Sequence, residues 1–289
     1  MLCIAGTIPA DDFPLMEGEV ELRGEQLRIG SSFIAVNRGT PALLAAAVKA
    51  AETLGRPSPF AYLVGDTGTG KGSRRLYEHM TEVLPRSSFG TIAFHYLQPI
   101  IHWHNKIQAV LGKLTPRPRL IADAGFMYAA KMSGAASLYD LFTPDVGELA
   151  FLADEEAPHP FYTRGFILHE DNHVPDLIVR AYKHRNAARH LLVKGEKDYL
   201  ADETGILATV EHPAEEAMEA IGGTGDTLTG LVSVLIDAGM NMREAAVAAM
   251  RANRLAGRYA QPTPATQIAE IIRHIPRALR QVLEGQVIR

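Results

Sequence analysis

Ile221-Gly222-Gly223-Thr224-Gly225-Asp226-Thr227-Leu228-Thr229-Gly230 is the stretch on which the reading of this chain turns. It leads into apolar residues at helical spacing, Leu228, Leu231, Val232, Val234, Leu235 and Ile236, so a helix is predicted over 227–238. Glycines at a helix start leave backbone N–H groups unshielded by Cβ atoms. That end of a helix also carries partial positive charge, and the two together suit a phosphate or another oxyanion. Asp226 stands out there, because a carboxylate repels an anion unless its task is to take a proton from something nearby. A base beside a backbone anion hole is apparatus for making a hydroxyl attack a phosphoryl group. A plain N-cap, with Thr224 or Asp226 bonding backbone amides, would not need so many glycines.

The remainder of the chain supports an enzyme of ordinary globular composition. It has 289 residues, 47% hydrophobic and 21% charged, enough to bury a sizeable core. The net charge of -4 offers no broad basic surface for nucleic acid or an anionic membrane. One cysteine, Cys3, excludes an internal disulfide and a cysteine zinc site. No signal peptide is visible and no run of about 20 apolar residues would span a bilayer, so a soluble cytoplasmic protein is expected.

Periodicity predicts the elements. Residues 1–39 read as short apolar runs, with a hairpin joining Val20–Leu22 to Leu27–Ile29. A helix follows over Pro41–Leu54, with Thr40 as its cap. Strands are expected at 60–64, 91–94, 120–122, 138–142 and 191–193, and helices at 73–84, 99–114, 144–153 and 174–186. A hairpin at 199–210 precedes the glycine stretch, and helices at 242–260 and 266–283 finish the chain. This alternation predicts an α/β fold with a largely parallel sheet, helices on both faces and a site at the strands' carboxyl ends. Residues 154–173 lack periodicity and suggest a lid or a partner contact.

The glycine stretch resembles the Gly-x-Gly-Asp signature of the ribokinase-like superfamily. Its wording, Gly-Gly-Thr-Gly-Asp-Thr-Leu-Thr-Gly, looks most like the ADP- or ATP-dependent NAD(P)H-hydrate dehydratases. The resemblance spans roughly residues 35–260, and the epimerase domain often fused in bacterial dehydratases is not seen. It implies a three-layer α/β/α domain covering 1–289, ATP or ADP with Mg2+, a small-molecule substrate and a homo-oligomer. It also implies roles for particular residues. Asp226 is the catalytic base and Gly223, Thr224 and Gly225 form the anion hole. Lys194 and Gly195, at a strand end like the family's Lys-Gly, border the nucleotide together with Gly222 and Gly225. Gly68, Asp123, Asp145 and Asp226 face the substrate. Glu148, in Thr143-Pro144-Asp145-Val146-Gly147-Glu148, helps to organise magnesium, although Thr143-Pro144 followed by Glu148 is also a credible helix start.

The departures fall on the substrate side. Asp145 stands where the dehydratases place a histidine that contacts the hydrated nicotinamide. Gly125 replaces an aspartate and Tyr128 an asparagine. If the acceptor is hydrated NADH or NADPH, phosphate leaves after transfer and the net reaction is dehydration. If it is a sugar, pyrimidine or thiazole alcohol, the phosphate stays and the protein is a kinase.

A second glycine-rich stretch competes. Gly65-Asp66-Thr67-Gly68-Thr69-Gly70-Lys71-Gly72-Ser73 nearly spells the phosphate loop of a P-loop NTPase, and Leu120–Asp123 could serve as that enzyme's acidic strand. Gly72 occupies the position that should carry a hydroxyl for magnesium. Finally, His95, Tyr96, His102, Trp103 and His104 cluster; His102 and His104 lie about 200° apart around a helix and do not converge on one metal.

Overall fold

The computed structural model describes residues 1–155 and 173–287. The lid expected over 154–173 lies, but for its ends, outside the described residues. The main sheet has nine strands. Its first strand in the chain, β1 (Leu2–Ile8), is an interior strand buried along its whole length. On one side stand β6 (Phe60–Gly65) and β2 (Met16–Glu19). On the other stand β7 (Thr91–His95), β8 (Arg119–Asp123), β9 (Leu141–Phe142), β10 (His190–Val193), β11 (Asp198–Asp202) and β12 (Gly205–Val210). The six strands from β6 to β10 run parallel, while β2 joins β6, β11 joins β10 and β12 joins β11 by antiparallel pairing. A separate three-stranded sheet holds β3 (Glu21–Arg23), β4 (Gln26–Ile29) and β5 (Ser32–Ala35), the first two forming the expected hairpin.

Alternation along β1 divides the core. Leu2, Ile4 and Ile8 join one apolar cluster and Cys3 and Ala5 the other, as a period of two requires. The first cluster is covered by α1 (Thr40–Thr53), α7 (Thr224–Asp237), α8 (Met242–Ala260), α9 (Ile268–Ile272) and α10 (Ile275–Val287). The second is covered by α2 (Lys71–Val83), α3 (Ile101–Leu111), α4 (Gly125–Met132), α5 (Val146–Ala153) and α6 (Val174–Lys183). Helices therefore lie on both faces, as expected.

The chain passes from β1 to β6 on one side and then returns to β7 on the other. This reversal opens a crevice at the carboxyl ends of β1, β6 and β7, where parallel α/β sheets take their ligands. The two helices nearest it, α1 and α7, pack backbone to backbone. A Cβ on Gly230 would stand 2.3 Å from the Leu43 carbonyl oxygen of α1. The last glycine of the 222–230 stretch thus serves helix packing rather than anion binding.

Several local expectations are corrected. Strand β1 was not foreseen, because Gly6 and Thr7 interrupt its apolar run. Thr40 does not cap α1; Gly39 holds the N-cap position without a side-chain bond, and the Thr40 hydroxyl turns inward to His95. Residues 138–142 keep only the two-residue strand β9, after a short 3-10 turn at Ala136–Leu138. Helix α5 begins at its cap Asp145 rather than at Thr143-Pro144. The helix expected over 266–283 is two, α9 and α10, separated by a turn at Arg273 and His274. Helix α4 was not expected.

Candidate functional site

Helix α7 begins at Gly223, which has φ 106° and supplies no side-chain cap bond to the first turn. The positive φ is accessible to glycine at little strain. The turn is nevertheless held from behind. The Thr224 hydroxyl donates to the carbonyls of Met218 and Ile221, at 3.3 Å each, and Asn253 Nδ2 donates to the Thr224 carbonyl at 3.0 Å. What Thr224 can offer a ligand is therefore its amide. The expected anion-hole residues Gly223, Thr224 and Gly225 form this turn, and Gly222 precedes it, with Arg38 packed where its Cβ would be.

Asp226 is buried in the first turn of α7 and faces the start of α1. Its Oδ2 accepts from the Gly39 amide at 2.7 Å, and its Oδ1 lies 3.1 Å from His95 Nε2. Burial works to raise its pKa, but the His95 bond, the Lys194 ammonium and the Gly39 amide outweigh it, so the carboxyl sits below its ordinary value. The carboxylate is thus ionised and oriented, as a proton acceptor should be.

His95 and Asp123 end adjacent parallel strands and are register partners. Each is followed by a residue with left-handed backbone, Tyr96 at φ 55° and Ala124 at φ 51°. Such conformations are sparsely populated in non-glycine residues and persist where their surroundings enforce them. Here the Thr7 hydroxyl donates to the Tyr96 carbonyl at 3.0 Å, and the Asp123 carboxylate accepts from the Ala124 amide at 2.9 Å. Gly125, where the dehydratases carry an aspartate, has no room for one: a Cβ would meet the Leu97 carbonyl oxygen at 2.5 Å.

Asp123 accepts from Lys194 Nζ at 2.9 and 3.0 Å and from the Thr229 hydroxyl at 2.6 Å. Burial opposes charge on Lys194, yet the carboxylates of Asp123, Glu148 and Asp226 hold the ammonium above its ordinary pKa. The lysine stem lies along Gly225, where a Cβ would approach it to 3.3 Å. The backbone amide of Lys194 donates to the Pro144 carbonyl, and Gly195 donates to Asp198 Oδ1 at 3.1 Å. Buried Arg254 clamps this turn, with Nε 2.8 Å from Asp198 Oδ2 and one terminal nitrogen on the carbonyls of Gly195 and Glu196. Sequence reading missed Arg254, which carries no local signal beyond being a charge on the apolar face of α8.

Asp145 and Glu148 form a reciprocal capping box on α5, with Glu148 N to Asp145 Oδ1 at 2.7 Å and Asp145 N to Glu148 Oε2 at 2.9 Å. Burial, then the Asp145 charge, push Glu148 well above the usual carboxylate range, against the pull of Lys194. Both carboxyls belong to the electrostatic neighbourhood of Lys194 and Asp123, but one oxygen of each is committed to the helix start. Tyr96 and Tyr128 border the same group. Burial first, and then the nearby carboxylates, raise both phenols, so both stay neutral.

Among the described residues, His95, Asp123 and Asp226 are the group whose ligand atoms gather within 4.8 Å. A divalent cation would compete there with Lys194, already seated on Asp123, and with the Gly39 amide on Asp226. The donor set suits Mg2+ held through water and phosphate oxygens, with Glu148 nearby, better than a cage of protein ligands.

Gly68 lies in the loop between β6 and α2. It has φ 101°, and its amide donates to Asp66 Oδ1 at 3.0 Å. The same carboxylate accepts from the Gly70 amide, the Ser73 amide and the Ser73 hydroxyl at 2.7–3.0 Å. Asp66 therefore occupies the amide nest that a P-loop would offer to phosphate. Gly72 is packed with its Cβ position 1.9 Å from the Gly65 carbonyl oxygen, which leaves no place for a hydroxyl-bearing residue. This geometry argues against the competing P-loop reading. Of the clustered aromatics, His95 alone joins Asp226; His104 is buried against Tyr139 and Ser133, and His102 is exposed.

Comparison with known proteins bears on the fold and the family. A family model described as NAD(P)H-hydrate dehydratase matches residues 99–277. An uncharacterised protein of Methanocaldococcus jannaschii is 45% identical over 221 residues, covering 76% of this chain and 90% of that protein. The bifunctional NAD(P)H-hydrate repair enzyme of Pyrobaculum aerophilum is 27% identical over 180 residues, which are 61% of this chain and 32% of that protein. The chain thus spans about a third of that relative's length. Among solved structures, a ribokinase-like superfamily protein from Enterococcus faecalis superposes with a TM-score of 0.58 at 15% identity, covering 97% of this chain and 86% of that one. The pyridoxal kinase of Staphylococcus aureus, in complex with AMP-PCP and pyridoxal, gives 0.53 at 11% identity, covering 88% and 86%. With a ribokinase-like fold and a family match over more than half its length, the chain belongs to the carbohydrate-kinase-like family of NAD(P)H-hydrate dehydratases.

Proposed function

We propose that the chain is a nucleotide-dependent enzyme that transfers a phosphoryl group to a hydroxyl of a small molecule, and that the acceptor is the hydrated nicotinamide of NADH or NADPH. The observation that carries this reading is the pairing of an ionised, oriented Asp226 with the N-terminus of its own helix, whose cap Gly223 supplies no side-chain bond. Asp226 takes the proton of the acceptor hydroxyl. The freed oxygen bonds to the terminal phosphorus of ATP or ADP as the phosphorus–oxygen bond to the nucleotide breaks. The amides of Gly223, Thr224 and Gly225 face the charge that grows on the transferred group. Lys194, Gly195 and Gly222 border the nucleotide phosphates. Asp123, Asp145 and Gly68 face the acceptor, with Asp123 also fixing the Lys194 ammonium. Glu148 would help to hold Mg2+, which would supply charge neutralisation at the phosphates. In the dehydratase, phosphate then departs with the electron pair of the carbon–oxygen bond, the neighbouring ring carbon gives up a proton to solvent, and the nicotinamide double bond returns.

One observation favours a stable kinase instead. Asp145, at the position of the dehydratases' nicotinamide-contacting histidine, has its carboxylate tied into a helix cap. Incubation of hydrated NADH with ADP or ATP separates the two readings. Nucleotide-dependent return of the reduced-nicotinamide absorbance, abolished in Asp226→Asn, is expected. Absence of recovery together with lasting phosphorylation of a vitamin-precursor alcohol would give the kinase.

A further inference from the structure

His95 is buried, and nothing in the proposed reaction has yet used it. Its Nε2 stands 3.1 Å from Asp226 Oδ1 and 3.7 Å from Asp123 Oδ2, and its Nδ1 stands 3.0 Å from the Thr40 hydroxyl. An ionised carboxylate at Nε2 requires the proton there, so in the neutral ring Nδ1 is left to accept from Thr40. Room for this arrangement is made by β1. A Cβ on Gly6 would lie 2.7 Å from Thr40 Oγ1 and 2.9 Å from the His95 carbonyl oxygen, so a larger residue would displace Thr40. The Tyr96 ring meets the imidazole edge-on at 4.4 Å. The charged groups facing His95 are thus Asp226 from α7 and Asp123 from β8, the latter already neutralised by Lys194.

We propose that His95 is a positioning residue for the base: Thr40 fixes its tautomer, and its Nε2–H aims and partly neutralises the Asp226 carboxylate as that group receives the acceptor's proton. This rests on the reading of Asp226 given above. No proton leaves the pair during transfer. The acceptor O–H bond breaks, its proton moves to Asp226, and the oxygen bonds to phosphorus as the nucleotide departs with the electron pair of the cleaved bond.

The test has one arm that needs no substrate. Imidazole 15N spectra, with His95 assigned by its loss in His95→Gln, should show the neutral ring protonated at Nε2 and bare at Nδ1; a neutral ring protonated at Nδ1 and bare at Nε2 overturns the proposal. The second arm is turnover against pH. His95→Phe should lower kcat roughly 100-fold, as loss of an orienting partner does, and raise the acid limb by about 1–2 pH units as Asp226 loses its donor. His95→Gln, which keeps a donor near Nε2, should recover most of both. Thr40→Val should lower kcat several-fold and weaken the tautomer preference, and it decides the matter if His95→Phe does not fold. An unmoved acid limb in His95→Phe, with Asp226→Asn inactive, defeats this proposal alone. An active Asp226→Asn defeats the base assignment beneath it.

Discussion

Two glycine-rich turns in this molecule look alike and behave oppositely. Both precede a helix, both place a left-handed glycine at its N-cap, Gly70 at φ 75° and Gly223 at φ 106°, and neither cap is closed by its own side chain. Each also contains one aspartate. Asp66 comes four residues before its cap glycine, so its carboxylate folds back over the turn and takes the amides of Gly68, Gly70 and Ser73. Asp226 comes three residues after its cap glycine, already inside the helix, and its carboxylate leaves the turn to meet Gly39 and His95. One turn satisfies itself, and the other keeps its amides for something else. The position of the carboxylate relative to the cap, rather than the glycine count, separates a structural loop from a candidate phosphoryl site.

The largest expected effect is at Asp226. Asp226→Asn should lower turnover by about 1,000-fold, since a positioned base contributes roughly 10²–10⁴, while steady-state assays of Asp66→Asn should stay within a few-fold of wild type. Next is an attempt to write the P-loop hydroxyl into the first turn. Gly72→Ser puts a Cβ against the Gly65 carbonyl, and denaturant unfolding should show a loss of about 3 kcal/mol without any gain in nucleotide affinity.

Asp66→Asn should cost about 2 kcal/mol through weakened charge-assisted bonds. Burial raises the Asp66 pKa, but the Ser73 and glycine donors bring it below its ordinary value. Its contribution is therefore complete above the unfolded carboxylate value of about 4 and is lost as pH falls through the lower folded value. Thermal melts of wild type and Asp66→Asn should converge on acidification below pH ~4. The smallest effect is at Lys71, which is exposed. Lys71→Ala should leave turnover unchanged within about twofold and stability within ~0.5 kcal/mol; a collapse of activity would restore the P-loop reading.

Most of the fold was legible because it rests on periodicity. The 242–260 helix, the alternation of strands and helices, and both hairpins needed only local pattern. What escaped has local pattern that misleads. Strand β1 is broken by Gly6, whose small size is demanded by Thr40 and His95 from other elements. Strand β9 is two residues long and exists only by pairing with β8 and β10. Thr40 before Pro41 reads as a cap until His95 is known to lie beside it. At the site, Asp226, Lys194 and Asp123 were legible as charged residues at strand or helix ends, and the structure brings these three together. The His95 partnership and the Arg254–Asp198 clamp were not, since each joins positions separated by 50 residues or more. Gly68 is grouped with them by motif resemblance alone, and its amide donates to Asp66.

The Gly230–Leu43 approach has a mechanical corollary. Helix α1 delivers the Gly39 amide and Thr40, helix α7 delivers Asp226, and the two are welded where a methyl group would not fit. Any motion that closes the crevice over its ligands must leave that joint rigid. The hinge belongs elsewhere, and acceptor preference can drift along the strand ends without retuning the base.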